Sequence, residues 1–268
     1  MSTHDSLSDF AKSMVTELGV DKTVYRIGTT GPCVVVCHEL PGITPAVADF
    51  CRHVAAQGFR VSCPVLLGVP GAPMNGKNIV QALLKVCISK EFSLFTAGKS
   101  SPIVDWLRAF GKTEHARCGG PGIGVVGMCF SGGFALALAT DPHVLAPIMS
   151  QPANPAGLPW GKAKSNGGLM DMSDADLNKV AARLDAEPEL CVLAYRFSGD
   201  KTVPADRFAM LRERLGERFV GVTFDSSPGN PNGYPKSAHS VLTTDLVPEA
   251  RDEVVALFKR QLLSPVSS

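Results

Sequence analysis

No stretch of this 268-residue chain approaches the ~20 consecutive apolar residues needed to span a bilayer. An excess of one charge is missing too. The 26 Lys and Arg stand against 25 Asp and Glu, a formal net charge of +1, and no basic stripe interleaved with aromatics occurs. The footprint of a nucleic-acid or anionic-membrane surface is therefore absent, and neither partner is expected. The polar opening Met1-Ser2-Thr3-His4-Asp5 lacks the basic-then-apolar pattern of an export signal, which points to the cytoplasm. No internal repeat or long low-complexity segment stands out. Cysteine, by contrast, is plentiful, at positions 33, 37, 51, 63, 87, 118, 129 and 191. With no export signal, and with several of these inside apolar runs, they read as reduced and mostly buried thiols.

What is present is an alternation of short apolar, β-branched runs with helical patterns. Strands are expected at 24–27, 33–37, 59–63, 123–127, 145–149, 190–197 and 219–224. Helices are expected at about 45–57, 100–110, 130–140, 204–216 and 248–262. That rhythm predicts an α/β fold with a mostly parallel central sheet and helices on both faces, as one domain over 1–268. The Pro- and Gly-rich stretch at about 151–170, which holds Trp160, reads as a possible lid loop.

Gly127-Met128-Cys129-Phe130-Ser131-Gly132-Gly133 lies where a buried strand hands over to a helix. This is the context of a nucleophile elbow, which needs small residues around a sharply turned nucleophile. Cysteine takes the nucleophile position, and Ser131 stands where a second glycine is common. A sulfur at a helix N-terminus is favoured as thiolate, the reactive form. Asp200, in Ser198-Gly199-Asp200-Lys201-Thr202-Val203-Pro204, follows the strand 190–197, and His239 lies in a loop after the last strand. Nucleophile, acid, histidine is the chain order of α/β-hydrolases and differs from other triad folds. Asp225, at the end of the next strand, is the rival acid, while His38, His53, His115 and His143 have no matching context and read as structural or surface residues.

Two other patterns carry no chemistry. The glycines of Gly122-Ile123-Gly124-Val125-Val126-Gly127 run through the strand, whereas a dinucleotide loop must follow it. Cys33 and Cys37 beside His38 suggest a metal. Four strand steps hold the two sulfurs roughly 13 Å apart, too far for ~2.3 Å zinc–sulfur bonds, so they read as core. No metal or cofactor is expected.

From about Val24 to Leu262 the sequence resembles the dienelactone hydrolase family of α/β-hydrolases. The residues that carry this are His38-Glu39-Leu40-Pro41-Gly42, the cysteine elbow, Gly199-Asp200 with Val203-Pro204, and Ala238-His239-Ser240. The resemblance implies an α/β-hydrolase fold and a triad of Cys129, Asp200 and His239. It also implies a Glu39 carboxylate that contacts the resting thiol and helps generate the thiolate, with an oxyanion hole from the backbone N–H groups of Leu40 and Phe130. The implied reaction is hydrolysis of a small-molecule ester or lactone through an acyl-thioester. The alternatives are a thioester or carbon–carbon bond hydrolase on the same triad, or a non-enzymatic thiol redox protein. Thr243 stands where family members that act on dienelactone carry a substrate-binding arginine, so a neutral substrate is expected unless Lys85, Lys90 or Lys99 supplies the cation. Trp160 and Thr243 are candidate pocket residues, and oligomeric state stays open.

Overall fold

The computed structural model describes residues 4–88, 101–153 and 172–263, the side chains of 85–88 excepted. Eight strands form one sheet in the order β1-β2-β4-β3-β5-β6-β7-β8. They are β1 (Ala11–Glu17), β2 (Val20–Ile27), β3 (Cys33–Cys37), β4 (Arg60–Pro64), β5 (Ile123–Met128), β6 (Val144–Ser150), β7 (Val192–Phe197) and β8 (Phe219–Phe224). The pairs β1–β2 and β2–β4 are antiparallel, and from β4 to β8 every neighbouring pair is parallel.

The parallel centre explains the sequence of its strands. Strands covered on both faces read as unbroken apolar runs, and every residue of β3 and β5 is buried. The pleat then sends alternate side chains to opposite layers. Cys33, Val35 and Cys37 join Ile123 and Val125 in one core, whereas Val34 and Val36 join Val126 and Met128 in the other. The first core is closed by α3 (Pro102–Cys118), α4 (Gly132–Leu138), α5 (Asp174–Ala186) and α6 (Ala205–Leu215). The second is closed by α1 (Pro45–Ala56) and α7 (Pro248–Phe258). A further helix, α2 (Gly76–Ile88), precedes α3 in the chain.

Several boundaries differ from the sequence expectation. The strand β1 and its hairpin to β2 were not anticipated, because β1 is exposed along most of its length and carries no apolar alternation. The strands β2 and β3, consecutive in the chain, are not paired; β4 lies between them. The helix expected at 100–110 runs on to Cys118, through Gly111. A Cβ at Gly111 would stand 3.1 Å from the Ile123 Cδ1, so that glycine marks close helix–sheet packing and not a helix end. The helix expected at 130–140 begins with a tight 3₁₀ turn, Cys129–Ser131, and ends at Leu138.

Candidate active site

The turn after β5 has the geometry that an exposed nucleophile requires. Met128 is still extended, and then Cys129 takes φ 54°, a left-handed conformation rare for a side chain with a Cβ. Strain of this kind persists where the surroundings impose it. They do so tightly here. A Cβ at Gly127 would lie 2.2 Å from the Ser131 carbonyl oxygen, and one at Gly132 would lie 2.6 Å from the Pro152 Cα. Glycine is thus required before and after the turn, the second one a residue later than in Gly-x-Ser-x-Gly. Ser131 has its own use: the Met128 N–H donates to its Oγ (2.9 Å), which lies 2.8 Å and 3.1 Å from the Cys37 and His38 carbonyls. That buried hydroxyl ties the elbow to the end of β3.

Asp200 and His239 arrive from separate loops. Asp200 is 7% exposed, and its Oδ2 lies 2.6 Å from the His239 Nδ1. Its Oδ1 accepts from the Thr202 N–H (2.8 Å) and hydroxyl (2.7 Å). Cys129 lies close enough to the ring of His239 to act on its protonation. Burial disfavours the imidazolium, but the hydrogen bond to Asp200, the neighbouring Cys129 and the negative charge of both raise His239 to about 11. Burial also opposes ionisation of Asp200, yet His239 and Thr202 hold its carboxyl below the usual range. The rival, Asp225, is solvent-exposed, and its Oδ1 accepts from the Ser227 N–H (2.8 Å) and the Ser198 hydroxyl (3.3 Å).

Glu39, 1% exposed, follows β3 and faces the loop that bears His239. Its Oε2 accepts from the Gln151 side-chain amide (2.9 Å) and the Ser240 hydroxyl (2.8 Å), and its Oε1 accepts from the Thr243 hydroxyl. Burial pushes the Glu39 carboxyl up, against the pull of these donors and of His239. His38 is buried and works structurally. Its Nε2 accepts from the Leu66 and Leu67 N–H groups (3.0 and 3.3 Å), leaving Nδ1 to donate to the Glu39 carbonyl (2.8 Å). Burial lowers its ring to about 4, so it stays neutral, as two accepted N–H bonds require.

A family model described as "Dienelactone hydrolase family" matches residues 22–260. The chain belongs to the dienelactone hydrolase family. A protein of Methylorubrum extorquens provisionally named a carboxymethylenebutenolidase is 25% identical over 209 residues, 78% of this chain; the match spans 62% of that relative's length. Among solved structures, a dienelactone hydrolase-like promiscuous phosphotriesterase from metagenomic libraries superposes with a TM-score of 0.60 at 14% identity, over 94% of this chain and 98% of that one. A provisionally assigned dienelactone hydrolase of Klebsiella pneumoniae gives 0.57 at 16% identity, over 94% and 97%. The likeness to these structures shows the α/β-hydrolase fold. Among the described residues no helix is long and apolar enough to cross a membrane.

The remaining sequence expectations fall as follows. Thr243 is 8% exposed and its hydroxyl is committed to Glu39. The ring of Phe130 is buried against Phe134 and His38, whereas Leu40, whose bond to Pro41 is cis, is half-buried. Trp160, the lid stretch beyond Ala153, Lys90 and Lys99 lie outside the described residues, as does the side chain of Lys85. Two participants had no sequence signal. Gln151, at φ 35°, also accepts the Val241 N–H through Oε1 (3.2 Å), bridging Glu39 to the histidine loop. Asp245 accepts the N–H groups of His239 (2.8 Å) and Ser240 (3.1 Å) through one oxygen.

Proposed function

We propose that the protein hydrolyses a carboxylic ester or lactone through an acyl-thioester on Cys129. One observation carries the reading: Cys129, strained at the elbow, lies beside His239, which is bound to buried Asp200. With His239 protonated, the Cys129 thiolate attacks the substrate carbonyl. The N–H groups of Leu40 and Phe130 take the oxyanion, as the elbow geometry and the early strand–loop position favour. As the tetrahedral species collapses, His239 gives its proton to the departing alkoxide, and the sulfur becomes a neutral thioester. Loss of that negative charge removes part of what keeps His239 protonated, so the ring is now the base that draws a proton from water. Water attacks, thiolate leaves, and Asp200 holds the ring throughout.

Glu39 has a different role in this proposal from the one the resemblance implies. Its oxygens are engaged by Gln151, Ser240 and Thr243, while Cys129 lies beside His239. These partners favour Glu39 as a positioning residue that ties the histidine loop to the end of β3. The test is mass spectrometry after brief exposure to a panel of activated esters and lactones. An acyl adduct on Cys129 is expected, and adducts on other residues with Cys129 unmodified would defeat the reading.

A further inference from the structure

A second thiol cluster lies at the opposite end of the sheet. Cys33 opens β3 and is wholly buried, whereas Cys118 closes α3 and is half-buried. The two chain segments approach closely: a Cβ at Gly120 would lie 2.9 Å from the Pro32 Cγ. The sulfurs of Cys33 and Cys118 and a carboxylate oxygen of Glu114 all lie within 4.8 Å of one another. Glu114 is itself buried and saturated. Arg26 donates to Oε1 (2.7 Å) and Oε2 (3.3 Å), and Oε2 also accepts from Arg117 (2.6 and 3.1 Å) and the Ser62 hydroxyl (2.6 Å). A dication placed among these donors would face two guanidiniums already bonded to its one carboxylate, so a metal is a poor occupant.

The same guanidiniums suit a thiolate. The Cys33 thiol lies 3.7 Å from the Ser62 Oγ, 3.8 Å from the Glu114 Oε2 and within 4.8 Å of the Cys118 sulfur. The neighbouring Cys33, with Arg117 and Arg60, brings the Cys118 thiol down to about 6 against the effect of burial. Cys33 is driven the other way, by the neighbouring Cys118 and by burial. One sulfur is a reachable nucleophile and its neighbour a sheltered thiol.

We propose that Cys118 and Cys33 form a thiol–disulfide exchange site that reacts with a low-molecular-weight disulfide and closes to a bond between the two residues. The Cys118 thiolate attacks one sulfur of the small disulfide, forming a mixed disulfide and expelling a small thiolate. Cys33 then loses its proton to that thiolate and attacks the Cys118 sulfur, expelling the second small thiolate, which takes a proton from solvent. Two electrons pass from the cysteine pair to the small disulfide, which leaves as two thiols. The site is independent of Cys129, which lies past the other end of β5, a six-residue strand spanning roughly 20 Å.

The test is to incubate the reduced full chain with oxidised glutathione at neutral pH and map the peptides by mass spectrometry. A linked Cys33–Cys118 peptide pair is expected, and closure should raise the thermal midpoint until dithiothreitol reverses it. Cys118→Ser should abolish the link, and Cys33→Ala should stop at a glutathionyl adduct on Cys118. Because Cys33 is buried, its variant could unfold, but the wild-type map stands without it. A lasting Cys118 adduct with Cys33 still free in the wild type would overturn the proposal. So would a Cys118 that stays unmodified. Stoichiometric binding of zinc by the reduced chain, lost in Cys118→Ser, would overturn it in favour of a metal site.

Discussion

His239 stands between a carboxylate and a sulfur, so its protonation is coupled to both. Its folded value of about 11 lies above the ordinary 6.5, the direction in which a histidine stabilises the fold by holding its proton. That contribution is complete below about pH 6.5 and is lost as pH rises through 11. The stability gap between wild type and His239→Ala should therefore narrow between about pH 6 and pH 10 in urea titrations. A gap that stays constant would mean that the ring is not held as an imidazolium. Catalysis gives a second handle on the same residues. In the proposed mechanism His239 is the proton carrier and Asp200 its orienter, so His239→Ala and Asp200→Ala should both lose activity by orders of magnitude, the histidine variant more. Asp225→Ala should retain near-wild-type kcat/KM, since that carboxylate faces solvent and binds Ser227 and Ser198. If the two aspartate variants behaved the other way round, the acid would be misassigned.

At the level of elements, the site depends on how the loop after β8 is fastened to the end of β3. Glu39 on one side and Ser240 and Thr243 on the other make the buried joint, with Gln151 bridging. Removing one hydroxyl leaves a buried carboxylate a donor short, which costs about 1–3 kcal/mol. Thr243→Val should lower stability by that amount and reduce kcat by loosening His239. Unchanged urea midpoint and turnover together would show that the joint does not rely on Thr243. Little of this was visible in the sequence. A threonine in a Gly- and Pro-rich loop carries no mark of the carboxylate it meets 204 positions away. The helix α5 was missed for another reason: it is charged and follows a glycine-rich stretch. Ser173 capping Asp176, with Leu177, Val180 and Leu184 at helical spacing, was signal enough to find it.

Across the whole molecule, the parallel strands were the most legible part, because burial on both faces writes an uninterrupted apolar run. The elbow was legible for a related reason: only small residues pack beside a left-handed turn, and Gly127 and Gly132 show it. What stayed hidden were meetings between distant segments, such as Glu114 with Arg26 and Cys33, or Gln151 with Glu39. The same distribution of partners bears on the substrate. A substrate carboxylate needs a cation at the site, and a charge-assisted pair is worth about twice a neutral hydrogen bond. Two guanidiniums beside the Asp200 loop are turned to backbone carbonyls: Arg196 donates to Val203 O (2.8 Å), and Arg207 donates to Pro152 O and to Thr202 O (3.3 Å). At 243 stands a neutral hydroxyl, already donating to Glu39, whose own carboxylate would repel a second anion. A carboxylated lactone would thus lose its water without gaining a partner from these residues, while a neutral one loses nothing comparable. Specificity constants should favour a neutral lactone over dienelactone of similar size. Thr243→Arg should narrow that preference by supplying the missing cation, at some loss of stability. A clear wild-type preference for the carboxylated lactone would mean that a cation reaches the site from elsewhere in the chain.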